Sequence, residues 1–168
     1  MIILIEGTDL SGKSTLAKEL QAKFGLEIIH GSSFEIASKG IQYMYEFMMG
    51  LLDLDNVIID RFYFSNLIYA TVYDKNMLEE WQVMNLRKKL REKEHIIIHL
   101  WCEIETLLER ASIRGEEYIN LKDLGRLALM YDELMISEST FGGLNVWKEY
   151  SKGDHSNLFK EIGMMING

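Results

Sequence analysis

The sequence predicts a single α/β domain in which helices cover both faces of a five-stranded parallel β-sheet. Two observations support this prediction. Short runs rich in isoleucine, valine and leucine alternate with longer helical segments, which is the order typical of a parallel sheet. The chain has 168 residues, the length of one ordinary domain, and no linker, repeat or low-complexity block interrupts it. We therefore expect residues 1–168 to form one domain.

Five short apolar runs are the predicted strands. Each is too short for an amphipathic helix and too apolar to face water on one side, as expected for strands covered by helices. They comprise residues 2–6, 26–30, 57–60, 95–101 and 144–147.

Six longer segments are the predicted helices, and the first of them begins directly after a glycine-rich loop. A charged run at residues 87–94 mixes basic and acidic side chains, so we interpret it as a solvated helix face, with a nucleic-acid patch as the alternative. The predicted helices comprise residues 12–24, 34–54, 76–94, 103–114, 119–137 and 156–166.

The composition excludes several classes of protein. The chain carries 18 Lys and Arg against 26 Asp and Glu, a net charge of -8, so it has no general basic field for a nucleic-acid polymer or an anionic membrane. Its one cysteine, Cys102, lies in an apolar run and predicts a buried, reduced thiol. The apolar start of the chain meets Glu6 and lacks a basic region, unlike a signal peptide or a membrane span. These features predict a cytoplasmic protein.

The strongest functional signal is the loop G-T-D-L-S-G-K-S at residues 7–14, which completes the pattern G-x-x-x-x-G-K-[ST]. An apolar strand precedes it and a helical segment follows. Glycines let backbone N–H groups turn towards phosphates, and the start of a helix adds positive potential. Lys13 can reach the β- and γ-phosphates, while the Ser14 hydroxyl can bind Mg²⁺. The residues predicted to bind ATP are Gly7, Thr8, Asp9, Leu10, Ser11, Gly12, Lys13, Ser14 and Thr15.

A second part of the predicted site is Asp60, at the carboxyl end of the apolar run 57–60. Ligands of parallel sheets bind outside these strand ends. Asp60 therefore has the form of the acidic residue that polarises Mg²⁺, directly or through its waters. The structural alternative is an aspartate that caps the following helix.

These two features leave several classes of nucleotide-binding protein open, since GTPases, motor ATPases and small kinases share the loop. The guanine signature N-K-x-D is absent, and the chain has little room for an oligomerising ATPase apparatus. A small-molecule kinase is the class that remains.

Three segments resemble the thymidylate kinases. Residues 6–15, E-G-T-D-L-S-G-K-S-T, resemble the loop E-G-x-D-x-x-G-K-S/T, and residues 60–69, D-R-F-Y-F-S-N-L-I-Y, resemble D-R-Y-x-x-S-x-x-A-Y. Residues 107–115, L-L-E-R-A-S-I-R-G, are similar to A-L-x-R-x-x-x-R-G. The resemblance implies a sheet ordered 2-3-1-4-5 and transfer of the γ-phosphoryl group of ATP to a deoxynucleoside monophosphate. The compact size is similar to that of phage-type relatives.

The resemblance also assigns individual residues. It places Asp9 beside the acceptor sugar and its phosphate, Arg61 on the acceptor phosphate, and Tyr69 under the deoxyribose, where a 2′-hydroxyl would be excluded. Charge alone supports Arg61, because a cation between donor and acceptor phosphates offsets their repulsion. A solvated loop carboxylate is the alternative for Asp9, and an ordinary helix core residue is the alternative for Tyr69.

The third motif implies a LID at about residues 110–122. Arg110 and Arg114 are spaced i, i+4 and share a helix face. Arginines that close over the transferring phosphoryl group would stabilise its charge and exclude water. Leu10 occupies a loop position where some thymidylate kinases carry an arginine, which favours a catalytic cation from the LID. The alternative pairs these arginines with neighbouring glutamates on the surface.

The chain departs from the thymidylate kinase pattern in the expected acceptor-binding region, residues 31–56. This region contains no arginine and a single lysine, Lys39, although the resemblance would place acceptor-gripping cations there. The aromatic candidates to stack on the acceptor base are Phe34, Tyr43 and Phe47, with core packing as the alternative. The identity of the base is left open.

Two other functions stay open at this point. A deoxynucleoside kinase, or a kinase for another small molecule, would need a carboxylate base for the acceptor hydroxyl, and Glu35 or Glu46 could serve. A regulator that binds nucleotide without turnover would keep the loop but release no ADP. Residues 41–54 are apolar and would suit a homodimer contact.

Overall fold

The protein is described by a computed structural model that covers residues 1–32, 34–114 and 122–168. For Phe34 and Arg114 the description is limited to the backbone. Five parallel strands form one sheet in the order β2-β3-β1-β4-β5, which confirms the predicted order. The strands are β1 (Ile2–Glu6), β2 (Glu27–His30), β3 (Val57–Asp60), β4 (His95–Trp101) and β5 (Val146–Tyr150).

The described chain contains eight helices. They are α1 (Lys13–Phe24), α2 (Phe34–Ser38), α3 (Ile41–Leu51), α4 (Tyr63–Tyr73), α5 (Glu80–Arg91), α6 (Ile104–Arg114), α7 (Leu124–Thr140) and α8 (Ser156–Asn167). None of the helices in the described ranges is long and apolar enough to cross a lipid bilayer.

Side chains of β1 show how the sheet is covered on both faces. Ile2 and Leu4 belong to a core cluster formed with α3, α4, α5 and α7. Ile3 and Ile5 belong to a second cluster, formed with α1 and α8. This alternation is the period of two expected for a strand buried between two layers of helices. The three-layer arrangement predicted from the sequence is confirmed.

Both outer strands differ from the prediction that every strand is covered on both faces. Residues of β1 and β3 are buried throughout, whereas β2 and β5 are partly exposed. These strands lie at the edges of the sheet, where the helical layers end. The start of β5 was also predicted two residues too early, because Leu144 packs into the core before the strand begins at Val146.

Helix α4 was missing from the predicted set, and the predicted helix at residues 34–54 is two helices. Seven of the eleven residues of α4 are aromatic or β-branched, which lowers intrinsic helix propensity, but six of its residues are buried and packing stabilises it. Between α2 and α3 the chain turns at Gly40, whose φ of 101° is a left-handed value that glycine adopts readily.

Three polar side chains lie together at the carboxyl end of the sheet. Asp60 is the register partner of both Ile5 and His30, and Glu6 follows Ile5 directly. Carboxyl ends of adjacent parallel strands therefore place Glu6, His30 and Asp60 beside the loop that links β1 to α1. Cys102, just after β4, is buried, as predicted.

Candidate active site

The glycine-rich loop between β1 and α1 has a backbone that other residues would not tolerate. Gly7 has a φ of 145°, and a Cβ added to it would lie 2.3 Å from the carbonyl oxygen of Leu100. Gly12 has a φ of 99° and precedes the first turn of α1, which begins at Lys13. The loop therefore packs against the end of β4 and leads directly into a helix N-terminus, the geometry that suits an anion.

Lys13 is buried, and its Nζ donates a hydrogen bond to the carbonyl oxygen of Thr8 at 2.6 Å. Burial, followed by the nearby charge of Arg61, lowers the pKa of Lys13 to about 7. The Lys13 side chain is thus folded back on its own loop. Ser14, the next residue, is exposed at the start of α1.

Asp60 lies at the end of β3 with 6% of its surface exposed. Its Oδ1 has no hydrogen-bond partner among the described residues, and its Oδ2 lies 3.5 Å from Nδ1 of His30. A buried carboxylate oxygen without a partner is unfavourable unless a ligand binds it. Mg²⁺ takes hard oxygen ligands and usually keeps several waters, so one carboxylate and the Ser14 hydroxyl fit this ion.

Asp9, Arg61 and Tyr69 were predicted from the sequence and converge in the structure. Arg61 Nη2 forms an ion pair with Asp9 Oδ1, and the Tyr69 hydroxyl donates to Asp9 Oδ2 at 2.5 Å. The guanidinium carbon of Arg61 lies 5.2 Å from the centre of the Tyr69 ring. The loop carboxylate, the cation after β3 and the aromatic residue of α4 therefore form one cluster.

Three further residues of this cluster were not singled out by the sequence. Glu6 is fully buried, accepts a hydrogen bond from Ser65 Oγ at 2.6 Å, and its burial raises its pKa to about 7. The Tyr131 hydroxyl lies 2.8 Å from Ser65 Oγ and 3.2 Å from Nη1 of Arg61. Glu6 and Ser65 lie within the motifs at residues 6–15 and 60–69, which are the sequence signal for both. Tyr131 lies in α7, where the sequence carries no local signal.

A cavity of about 520 Å³ opens beside this cluster. Part of its wall comes from α4, which is absent from the predicted helices, and from the segment that follows it. The predicted acceptor region, 31–56, contributes only three of the described lining residues. The lining comprises Asp9, Ser32, Ala37, Ser38, Arg61, Ser65, Asn66, Tyr69, Ala70, Tyr73, Lys75 and Asn76.

The aromatic residues predicted to stack on an acceptor base are not among the described lining residues. Tyr43 and Phe47 stack on each other along α3, with ring centres 6.5 Å apart. Phe47 also packs against the core, because it faces the same cluster as Met44 and Met48. The side chain of Phe34 lies outside the described residues. Tyr73 lines the cavity instead, with its ring 6.0 Å from that of Tyr69.

A second cavity, of about 260 Å³, also borders the loop and is lined by Leu10, Gly12, Thr15, Arg110 and His155, among others. Arg110 Nη1 donates to the carbonyl oxygen of Leu10 at 2.7 Å, so this arginine of α6 touches the loop. Arg114 ends α6, but its side chain and residues 115–121 of the predicted LID lie outside the described residues.

The sheet order, the loop between β1 and α1, and the acidic residue at the end of β3 together define the fold of the P-loop nucleotide kinases. The chain matches the thymidylate kinase family over residues 33–142. It therefore belongs to this family and is a phosphotransferase.

Individual relatives agree with this assignment. The SPbeta prophage-derived protein YorR of Bacillus subtilis is 38% identical over 135 residues, which span 80% of this chain and 81% of YorR. The crystal structure of B. subtilis YorR in complex with phosphorylated GDP aligns with a TM-score of 0.85 at 33% identity, over 99% of this chain and 96% of that one. The prophage origin of YorR agrees with the phage-type resemblance.

A more distant structure shows the same fold. Deoxyadenosine kinase from M. mycoides, with dCMP and dCDP bound, aligns with a TM-score of 0.62 at 20% identity. The alignment covers 99% of this chain and 98% of that one.

Proposed function

We propose that the protein phosphorylates a deoxynucleoside monophosphate to the diphosphate, with ATP as the donor and Mg²⁺ as the cofactor. The observation that carries the proposal is the position of the two cavities. One is lined by Asp9 and the other by Leu10, which are consecutive residues of the same loop. A donor on one side and an acceptor on the other would bring their phosphates together over Lys13, between Asp60 and Arg61.

On the donor side, backbone N–H groups of the loop and the start of α1 would hold the phosphates of ATP. Lys13 would leave the Thr8 carbonyl for a phosphate oxygen, which is a stronger partner for an ammonium. Ser14 and Asp60 would hold Mg²⁺, which supplies neutralisation of the charge on the transferring phosphoryl group. Arg110 lies at the cavity of about 260 Å³, close to where the donor nucleotide would extend from the loop.

On the acceptor side, the distribution of charge favours a monophosphate over a nucleoside. A nucleoside hydroxyl needs a carboxylate base, whereas a phosphate oxygen is already a nucleophile. Glu35 is 84% exposed and pairs with Lys39, while Glu46 accepts a hydrogen bond from Gln42 on an exposed face of α3. Neither is among the described lining residues of the acceptor cavity. Arg61 is there, and a phosphate can compete with Asp9 for its Nη2.

The preference for a deoxyribose is the finer part of the proposal, and it rests on Tyr69. Its hydroxyl is bound to Asp9, and its ring lines the acceptor cavity beside Arg61. This fixed ring would lie against the sugar and leave little room for a 2′-hydroxyl.

A deoxynucleoside kinase is the second candidate, because Asp9 is a carboxylate that does line the cavity. The deoxyadenosine kinase named above shares the fold, although at 20% identity it indicates nothing more. For Asp9 to act as a base, it would have to leave both Arg61 and Tyr69.

The test is ADP release from ATP with matched pairs of acceptors, each deoxynucleoside monophosphate beside its parent deoxynucleoside. We expect at least one monophosphate to be phosphorylated much faster than its nucleoside. Faster turnover of a nucleoside would support the second candidate. Binding of ATP with no ADP release from any acceptor would indicate a regulator.

The proposed homodimer contact through residues 41–54 stays a prediction. Met44, Met48 and Leu51 of this segment are buried in the core of their own chain. The apolar pattern is therefore largely explained by intramolecular packing, and only side chains such as Tyr43 and Leu54 are left exposed for a partner.

A further inference from the structure

We propose that Tyr131 is a positioning residue that fixes the guanidinium of Arg61 for the acceptor phosphate. The inference rests on the proposed function, since it names a residue that acts through the acceptor-binding arginine. It adds α7 to a site that the sequence assigned to the loop, to β3 and to the LID.

The backbone of Arg61 is held in an unfavourable conformation from both sides. Its φ of 66° is left-handed, which non-glycine residues rarely adopt. The Arg61 N–H donates to the Ile5 carbonyl at 3.0 Å, and the Phe62 N–H donates to Glu6 Oε1 at 2.5 Å. Both bonds go to β1, so Glu6 and its strand fix where the arginine side chain starts.

The hydroxyl of Tyr131 fixes where that side chain ends, and the direction of its hydrogen bonds follows from the chemistry of its neighbours. Arginine can only donate, so Tyr131 accepts from Arg61 Nη1 at 3.2 Å. Ser65 donates to Glu6 Oε2 at 2.6 Å, so Tyr131 donates to Ser65 at 2.8 Å. The bonds run in one direction, from Arg61 through Tyr131 and Ser65 to the Glu6 carboxylate.

The two ends of the guanidinium therefore have different surroundings. Nη1 faces the protein interior, where Tyr131 at 3.2 Å, Ser65 at 3.3 Å and the Gly7 carbonyl at 3.5 Å are its partners. Nη2 pairs with Asp9, which is partly exposed and lines the acceptor cavity. An acceptor phosphate can replace Asp9 at Nη2 while Nη1 keeps its partners. Tyr131 provides the shortest of these fixed contacts.

The ring of Tyr131 is held separately from its hydroxyl. It stacks on His99 at 6.1 Å and meets Tyr69 edge to face at 6.5 Å. A phenylalanine at this position would keep both ring contacts and lose only the hydroxyl. Arg61 Nη1 would then be left with its two longer partners, and the guanidinium would sample orientations that do not fit the phosphate.

The experiment is steady-state kinetics of Tyr131→Phe with the deoxynucleoside monophosphate that the wild type phosphorylates best. A hydrogen bond to a charged group predicts a fall of about 10-fold in kcat/KM for the acceptor, with KM for ATP unchanged. Tyr63→Phe is the matched control, because its hydroxyl is also buried but faces Arg87 and Glu138, and no hydrogen bond joins it to Arg61 in the described part of the chain. We expect that control to leave both constants unchanged.

The same substitution is then made in an Arg61→Ala background, at enzyme concentrations high enough to measure the slower reaction. If Tyr131 acts through Arg61, its hydroxyl no longer matters there, and Tyr131→Phe changes kcat/KM by less than about 2-fold. An equal loss in both backgrounds, or no loss in the first, would overturn the inference. Failure of the wild type to phosphorylate any monophosphate would instead overturn the proposed function.

Discussion

The two sides of the candidate active site are built in different ways. The proposed donor side is built around one continuous loop, whose glycines and helix N-terminus would hold phosphates mainly through the backbone. The proposed acceptor side is assembled from Arg61 after β3 and from side chains of the loop, of α4 and of α7, which lie up to about 120 residues apart in the chain. A backbone site of this kind depends on local sequence, whereas a side-chain site depends on the packing of the whole domain.

Loss of the donor side should have the largest effect. Lys13→Ala removes the ammonium that would contact the transferring phosphoryl group, and we expect kcat to fall about 1,000-fold or more. Steady-state ADP release measures this, and thermal unfolding shows whether the variant is folded. A folded variant with nearly normal kcat would contradict the donor assignment.

Arg61→Ala should affect the acceptor side alone. Removing the charge that faces the acceptor phosphate is expected to lower kcat/KM for the monophosphate about 100-fold, with little change in KM for ATP. Parallel titrations of the two substrates measure the difference. If KM for ATP rises by the same factor as kcat/KM for the monophosphate falls, then Arg61 serves both substrates and the two sides are not separate.

Asp60→Asn tests the proposed Mg²⁺ ligand, which lies between the donor side and the acceptor side. The amide keeps the shape of the side chain but is a weaker ligand for Mg²⁺, so turnover should fall far more than ATP affinity. Initial rates over a range of Mg²⁺ concentrations, together with ATP binding, measure both quantities. Equal losses in turnover and affinity would exclude a catalytic metal role for Asp60.

Arg114→Ala tests the predicted LID. An arginine that closes over the transferring phosphoryl group should contribute at least about 10-fold to kcat. Arg110→Ala is the useful comparison, because Arg110 already contacts the Leu10 carbonyl and lines the donor cavity. Unchanged kcat in a folded Arg114→Ala variant would refute a catalytic role.

The lowered pKa of Lys13 leads to a prediction about ATP binding that is tested without measuring a rate. With a pKa of about 7, the side chain is mostly uncharged at pH 8.5 in the free protein. Phosphate oxygens favour the charged form and raise this pKa, so ATP binding at pH 8.5 should take up close to one proton. Calorimetry in buffers of different ionisation enthalpy measures the uptake. Proton release, or uptake that persists in Lys13→Met, would contradict the prediction.

Much of the donor side could be predicted from sequence because its information is local. The loop pattern, the strand before it and the helix after it occupy residues 2–24, and the structure has this order. The acceptor side could be predicted only in part. Asp9, Arg61 and Tyr69 follow recognisable motifs, but Tyr131 meets them through the packing of α7 on α4, which no spacing in the sequence reveals.

The aromatic residues of α3 also show that local sequence does not determine which side chains border a cavity. Tyr43 and Phe47 stay predicted candidates to stack on the acceptor base, although neither is among the described lining residues of the cavity beside Arg61. The break at Gly40 begins a new helix, and their rings stack on each other along it. The aromatic residues that line this cavity come from helix α4, whose composition is unfavourable to helices, through Tyr69 and Tyr73.

The central claim is that a nucleoside triphosphate donor and a monophosphate acceptor bind next to each other along one loop. The most direct measurement is chromatographic analysis of the products formed from ATP and each deoxynucleoside monophosphate, with the parent deoxynucleosides as the comparison. We predict that a deoxynucleoside diphosphate and ADP appear in equal amounts from at least one monophosphate. Formation of a monophosphate from a deoxynucleoside, with no diphosphate from any monophosphate, would contradict the account.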